Sequence, residues 1–122
     1  MGISVRQPEE KQIAAVHKLA VLTAAQLTDT PLGVEKVIVD DGYVGAGYGQ
    51  PTKGTLDAIN LIARREGLLF DPVYSGKGLA GMIGLAGQSF FESDKDVIFL
   101  HTGGAAALFA YGKQLAENAA NG

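Results

Sequence analysis

The chain has 122 residues, 47% of them hydrophobic, and carries a formal net charge of -3 with a pI near 5.2. This length and composition predict one folded domain with an ordinary hydrophobic core. The ten basic residues are scattered, which argues against a nucleic-acid partner, and no segment approaches the ~20 apolar residues of a bilayer span. The absence of cysteine excludes disulfides and thiolate metal sites. We therefore expect a soluble, cytoplasmic protein without a metal centre.

The first half of the chain predicts a helix, a strand, a glycine-rich loop and a second helix, in that order. Pro8-Glu9-Glu10 is a helix-start pattern, and apolar residues follow at helical spacing until the sequence Thr28-Asp29-Thr30-Pro31 ends it. The apolar run from 36 to 39 indicates a buried strand. Four glycines and a proline between 40 and 52 predict a loop, and helical spacing resumes from 56 to 63.

The second half predicts two more helices and another strand. Gly67 is expected to cap the preceding helix, and Asp71-Pro72 to form a turn. Ser75 is expected to begin a helix whose buried face carries Leu79, Met82 and Ile83. The run from 97 to 100, VIFL, predicts a strand, and residues 105–111 a helix followed by a frayed polar tail. Strands alternating with helices predict an α/β fold, with a parallel sheet flanked by helices.

Two generic nucleotide-binding patterns match the sequence incompletely. Gly45 to Gly49 follow a predicted strand and precede a helix, but their spacing is GxGxG and lacks the third glycine of the dinucleotide fingerprint. Residues 52–55 read TKGT, whereas a phosphate-binding loop requires GK followed by serine or threonine. Asp40 and Asp41 suit a turn better than a metal site. A non-catalytic module that binds a nucleotide or another small molecule through the glycine loop remains an alternative.

The segments GYVGAGYGQPTKGTLDAINLIARREGLLFDPVYSGKGLAGM and VIFLHTGGAAALFAYG together resemble one enzyme family. They are similar to the C-terminal part of the D-cysteine desulfhydrases and 1-aminocyclopropane-1-carboxylate (ACC) deaminases, which depend on pyridoxal 5'-phosphate (PLP). The likeness runs from about Val34 to Tyr111. It implies the tryptophan-synthase-β type of PLP fold, known as fold type II, in a parent chain more than twice as long. We therefore expect residues 1–122 to be a single α/β unit and a fragment of such an enzyme.

The resemblance also implies roles for individual residues. Tyr48 and Tyr74 match the two active-site tyrosines of the family, which face the substrate. Thr102 matches the residue that meets the pyridine nitrogen of PLP, and a cofactor-binding role extends to its neighbours Gly103 and Gly104 and to Ser75.

The Schiff-base lysine of the family lies in a segment that has no counterpart here. Lys77 matches a lysine of the DPVYxGK motif that the family does not use for this purpose. We expect Lys77 to be exposed or structurally paired, with a distant charge effect as the functional alternative. The chain alone is therefore expected to bind no PLP and to be catalytically silent.

Two positions favour one branch of the family. The deaminase branch has glutamate after DPVY and leucine in place of the threonine, whereas this chain has Ser75 and Thr102. The resemblance thus implies α,β-elimination of a small D-amino acid such as D-cysteine to pyruvate, ammonia and sulfide, with ACC deamination as the alternative. Apolar stretches at 68–70 and 105–109 are expected to be exposed, and so to bind a second copy or a companion chain.

Overall fold

Four α-helices and a small parallel sheet build the protein, as seen in a computed structural model that describes residues 1–121. In chain order the elements are β1 (Gly2–Ile3), α1 (Glu9–Ala24), β2 (Val39–Asp40), α2 (Lys53–Glu66), α3 (Ser75–Gly87) and α4 (Gly112–Ala120). Two 3-10 helices, Val34–Lys36 and Ala105–Tyr111, precede β2 and α4. The fold is therefore α/β, as the sequence predicted.

The sheet consists of β1 and β2, which run parallel and are joined by a crossover that contains α1. Gly2 pairs with Val39 and Ile3 with Asp40. The amide of Gly2 donates to the carbonyl of Ile38 at 2.8 Å, and the amide of Ser4 donates to the carbonyl of Asp40 at 2.8 Å. A parallel pair needs such a crossover, because the chain must return to the same end before the second strand can begin.

The hydrophobic core lies between α2 and α3. Its buried members are Ala58, Ile59, Phe70, Leu79 and Ala80. Half-buried side chains from the rest of the fold pack around them, namely Tyr43, Ile62, Met82, Phe99, Leu108 and Leu115. Because α2 and α3 both carry their apolar residues at helical spacing, each presents one continuous stripe to the other.

Both strands predicted from the sequence differ from what the structure shows. The first occupies Val39–Asp40 rather than 36–39, because residues 34–36 turn into a 3-10 helix. No strand forms at 97–100 within the described residues. An apolar run cannot specify a partner strand, and without one its backbone groups make no ladder. The strand β1 was not predicted, since two residues carry no periodicity.

Four burial and helix predictions were also wrong. Ile83 is 36% exposed, so it lies at the margin of the α3 face whose centre is Leu79. Phe70 is buried in the core rather than exposed with its neighbours Leu68 and Leu69. The predicted helix at 105–111 is a 3-10 helix, and the polar tail forms α4 instead of fraying. Short 3-10 turns are common where a connection tightens before an α-helix.

Large apolar side chains are exposed on several surfaces. Ile98 and Phe109 are each 92% exposed, Leu100 is 81% exposed, and Leu68 and Leu69 are about half exposed. The helix α1 has no buried residue. None of the helices described over residues 1–121 is long and apolar enough to cross a membrane. Exposed apolar area of this extent is typical of a surface that another polypeptide covers.

Replacement of Gly67 by alanine is expected to destabilise the fold. Gly67 ends α2 with φ +68°, as the sequence predicted, and a Cβ there would meet no atom within 4 Å. The cost is therefore backbone strain alone, about 1 kcal/mol. Gly87→Ala is the matched control, because Gly87 is also open but lies in α3 with an ordinary helical backbone. Urea unfolding should show a loss of stability for Gly67→Ala and none for Gly87→Ala. Equal stabilities would contradict the left-handed cap.

Candidate functional site

The turn before α3 is organised by the carboxylate of Asp71, which is fully buried. Its Oδ2 accepts hydrogen bonds from the amides of Val73 and Tyr74, both at 2.8 Å. Its Oδ1 accepts from the amide of Ser75 at 2.8 Å and from the Ser75 hydroxyl at 2.6 Å. Burial raises the pKa of Asp71, but the hydrogen bonds from Ser75, Tyr74 and Val73 outweigh it and hold the pKa below its ordinary value.

The two predicted active-site tyrosines meet at one point. Tyr48 lies in the glycine loop and Tyr74 in the Asp71 turn, and their hydroxyl groups are hydrogen-bonded to each other. The rings pack edge to face with centroids 5.7 Å apart, and each residue is about half exposed. The hydrogen bond that the Tyr74 hydroxyl donates to Tyr48, with a smaller effect of burial, raises the pKa of Tyr74. Tyr74 therefore keeps its proton at neutral pH.

Thr102 and Tyr74, together with Ser75, line one cavity of about 510 Å³. The rest of its wall is largely apolar and includes Ile3, Val5, Met82, Val97, Ile98, Phe99 and Leu100. None of the described residues that line it is a lysine or arginine. Tyr74 and Thr102 thus line the same cavity. Tyr48 is connected to this cavity by the hydrogen bond between its hydroxyl and that of Tyr74.

Gly103 and Gly104 carry the chain from Thr102 past the Asp71 turn. Both have positive φ angles, +100° and +94°. A Cβ on Gly104 would lie 2.6 Å from Oδ1 of Asp71, so this position tolerates no side chain. The amide of Gly103 donates to Nδ1 of His101 at 3.1 Å, which leaves the proton on Nε2, 3.0 Å from the carbonyl of Leu69. His101 thus fixes the glycine turn and has no free nitrogen in this arrangement.

Ser75 is buried, and its hydroxyl is fully engaged inside the turn. The hydroxyl donates to the carboxylate of Asp71 and accepts from the amide of Asp71 at 2.9 Å. Although Ser75 borders the cavity, these bonds use its single proton. Its cofactor-binding role remains a prediction from the resemblance, and the geometry gives it a structural task.

Lys77 is fully buried and structurally paired, which is one of the two states predicted for it. Its Nζ donates to the carbonyl of Val44 at 2.6 Å and to the carbonyl of Gly47 at 2.9 Å. Burial lowers the pKa of Lys77. The glycine loop therefore directs two carbonyl oxygens at an ammonium of the same chain. A loop that binds a phosphate needs amide N–H groups in that position, so the geometry lends no support to the nucleotide-binding alternative.

The roles of two residues at the site were not predicted from the sequence. Asp71 was predicted as a turn residue, and aspartate commonly accepts the amide two residues on, as it does from Val73. Its bonds to Tyr74 and Ser75 were not predicted. The guanidinium of Arg6 lies 5.8 Å from the centroid of the Tyr48 ring, within reach of a cation-π contact. No sequence pattern indicated Arg6. In residues 1–121 no group of three or more candidate ligands could hold a metal ion.

The fold has a counterpart among solved structures. The crystal structure of an ACC deaminase homologue matches this chain with a TM-score of 0.83 and 29% sequence identity. The match covers 96% of this chain and 34% of that protein, so the chain spans about a third of its length. No protein-family model matches the sequence. The chain is therefore similar in fold and sequence to one part of an ACC deaminase homologue.

Replacement of Asp71 by asparagine is expected to destabilise the fold in a pH-dependent way. The loss at neutral pH should be about 2 kcal/mol, because an amide cannot accept all the hydrogen bonds that the buried carboxylate accepts. The folded pKa lies below the ordinary value of 3.8. The stabilisation by the carboxylate is therefore complete above that value and is lost as the pH falls through the folded pKa. Denaturant unfolding at a series of pH values measures this.

Asp94→Asn serves as the control for this experiment. Asp94 is largely exposed, and its nearest cation, Lys95, is 3.7 Å away. Its replacement should change stability little at any pH. A penalty for Asp71→Asn that stays constant from neutral to strongly acid pH would show that the charge of Asp71 does not hold the turn.

Proposed function

We propose that this chain is the C-terminal part of a PLP-dependent lyase that resembles D-cysteine desulfhydrases and ACC deaminases. The observation that carries the proposal is the meeting of Tyr48 and Tyr74 beside the cavity that Thr102 lines. The likeness to an ACC deaminase homologue over 96% of the chain supports it. These three residues lie in separate segments, and neither local periodicity nor helix packing requires them to converge.

The residues of the cavity fit one part of PLP. Its apolar wall suits an aromatic ring, and the hydroxyl of Thr102 can donate a hydrogen bond to a ring nitrogen. The described lining offers no lysine or arginine for a phosphate or a Schiff base, and the ammonium of Lys77 is bound to two carbonyls. We therefore propose that the Schiff-base lysine and the phosphate site come from another segment or a companion chain, and that this chain alone does not hold PLP.

PLP, when bound, withdraws electrons from the substrate carbon and so makes its proton removable. The residues of this chain would position the reactants. A neutral hydroxyl such as that of Thr102 binds an unprotonated ring nitrogen, which gives a weaker electron sink than a carboxylate partner would. The two tyrosine hydroxyls share one hydrogen bond, which uses the proton of Tyr74, so the proton of Tyr48 is the one that can be donated to a substrate carboxylate. Tyr48 holds the Tyr74 hydroxyl in place.

The proposed reaction is the elimination of a leaving group from a small D-amino acid such as D-cysteine. A weak electron sink is sufficient when the leaving group departs readily once the α-proton is removed. The hydroxyl residues Ser75 and Thr102 support this choice, since the deaminase branch has glutamate and leucine there. ACC deamination is the alternative within the same family.

Fragment complementation tests the proposal. The chain is mixed with a form of the ACC deaminase homologue that lacks the matched third, and pyruvate formation from D-cysteine is measured with PLP present. We expect turnover by the mixture and none by either part, since only the mixture contains both the tyrosines and a Schiff-base lysine. Thr102→Leu should lower D-cysteine turnover about tenfold, the effect of about 1.4 kcal/mol.

The outcomes of complementation are distinct. Turnover of ACC but not of D-cysteine would favour the deaminase alternative. Turnover by this chain alone would overturn the need for a second part, and a PLP adduct on Lys77 after borohydride reduction would make Lys77 the reactive amine. A folded complex without either activity would contradict the proposed function.

We also propose that a second copy or a companion chain covers the exposed apolar surface. Ile98 and Leu100 are almost fully exposed and line the same cavity as Thr102, so a partner bound there would shield the site from water.

Light scattering of the purified chain should show a species larger than a monomer, and Ile98→Lys with Leu100→Lys should restore the monomer. Leu27→Lys, at an 82% exposed position near the end of α1, is the control. A monomer at high concentration that also fails to bind the complementing part would refute the covered surface.

A further inference from the structure

The buried ammonium of Lys77 connects two segments that are distant in sequence. Lys77 lies in the first turn of α3, three residues after Tyr74. Its two acceptors, the carbonyls of Val44 and Gly47, belong to the glycine loop, and Gly47 directly precedes Tyr48. One side chain thus joins the helix start that follows Tyr74 to the loop that carries Tyr48.

The other hydrogen bonds of the loop do not make this connection. The amide of Gln50 donates to the carbonyl of Gly47 at 3.2 Å, and the amide of Val44 donates to the carbonyl of Asp41 at 3.1 Å. Both bonds close the loop on itself. The Tyr111 hydroxyl donates to the carbonyl of Gly49 at 2.7 Å and fixes the far end of the loop to the 3-10 helix. Apart from the tyrosine pair itself, Lys77 supplies the hydrogen bonds from the loop to α3.

The burial of Lys77 is costly. In the described chain its hydrogen-bond acceptors are backbone carbonyls and include no carboxylate, and removing an ammonium from water costs several kcal/mol. A methionine of similar length would fill the space without that cost but could not bind the carbonyls. Lysine and methionine at position 77 therefore differ in whether they bind the carbonyls of the glycine loop.

We propose that Lys77 is a positioning residue: by binding the carbonyls of Val44 and Gly47, it holds the Tyr48 hydroxyl against that of Tyr74. Lys77 acts through the tyrosines and touches neither substrate nor cofactor. The assignment of the tyrosine pair to a substrate rests on the proposed function, but the positioning of the pair does not.

The test follows the ionisation of each tyrosine by NMR of protein labelled at the ring carbon bonded to oxygen. The chain has four tyrosines, and replacing each by phenylalanine assigns its signal. In Lys77→Met the loop is released, so the Tyr74 pKa should fall toward its ordinary value. Tyr48→Phe should cause the same fall with Lys77 intact. Lys113→Met, which removes a largely exposed lysine of α4 near Glu117, is the control and should leave the Tyr74 titration unchanged.

A chemical rescue separates positioning from simple packing. Because the chain has no cysteine, Lys77→Cys can be alkylated at that site alone in denaturant and then refolded. Aminoethylation rebuilds a side chain close to lysine in length and charge, whereas S-propylation adds an uncharged chain of the same length without a hydrogen-bond donor. The aminoethylated protein should regain the wild-type Tyr74 titration, and the S-propylated protein should lack it.

Each outcome bears on the proposal. It is overturned if Tyr74 titrates as in the wild type in folded Lys77→Met, or if both alkylated proteins give the wild-type titration. If Lys77→Met does not fold, the two alkylated proteins decide: rescue of the fold and the titration by the aminoethyl group alone supports the proposal, and failure of that rescue rejects it. None of these measurements uses PLP or turnover, so the result stands whether or not complementation yields activity.

Discussion

The buried carboxylate of Asp71 is the interaction on which the site depends. Its two oxygens accept three backbone amides and one hydroxyl from the next four residues, so it both closes the turn and satisfies amides at the start of α3. The same carboxylate faces Gly104 so closely that no side chain fits between them. Asp71 therefore sets the direction of Tyr74 and brings the chain beyond Thr102 to the same turn.

Two buried charges of opposite sign lie in this small region, yet each is stabilised by the backbone. Asp71 accepts from amide groups, and the ammonium of Lys77 donates to carbonyls. Backbone dipoles that are fixed by the fold provide this stabilisation without the rearrangement that solvent would require. The arrangement makes the turn and the glycine loop depend on one helix, α3, which also supplies Leu79 to the core. Core packing and site geometry are thus coupled through α3.

Local signals in the sequence predicted α1, α2 and α3 but not α4, which forms from the tail that was expected to fray. Gly67 ends α2 and α3 begins at Ser75, because helix ends depend on residues a few positions apart. The strand prediction at 97–100 failed for the opposite reason. Strand formation depends on a distant partner, and an apolar run is compatible with extended chain that pairs with nothing in the described residues.

The site could be predicted only in part. The pairing of Tyr48 with Tyr74 followed from the family resemblance, since 26 residues separate them and no periodicity relates a loop to a turn. The burial of Lys77 could not be predicted from its flanking glycines, which suit an exposed lysine equally well. Its acceptors are carbonyls, and every residue carries a carbonyl, so no residue type in the loop marked them.

The closure of the glycine loop on Lys77 has a consequence for recognition. Glycine-rich segments lose more conformational entropy on ordering than other segments do. In this chain that loss occurs during folding, because an internal ammonium orders the loop before any ligand arrives. A molecule that binds at the tyrosine pair would meet hydroxyls that are already oriented. Its affinity would reflect the contacts it makes, with little subtracted for immobilising the loop.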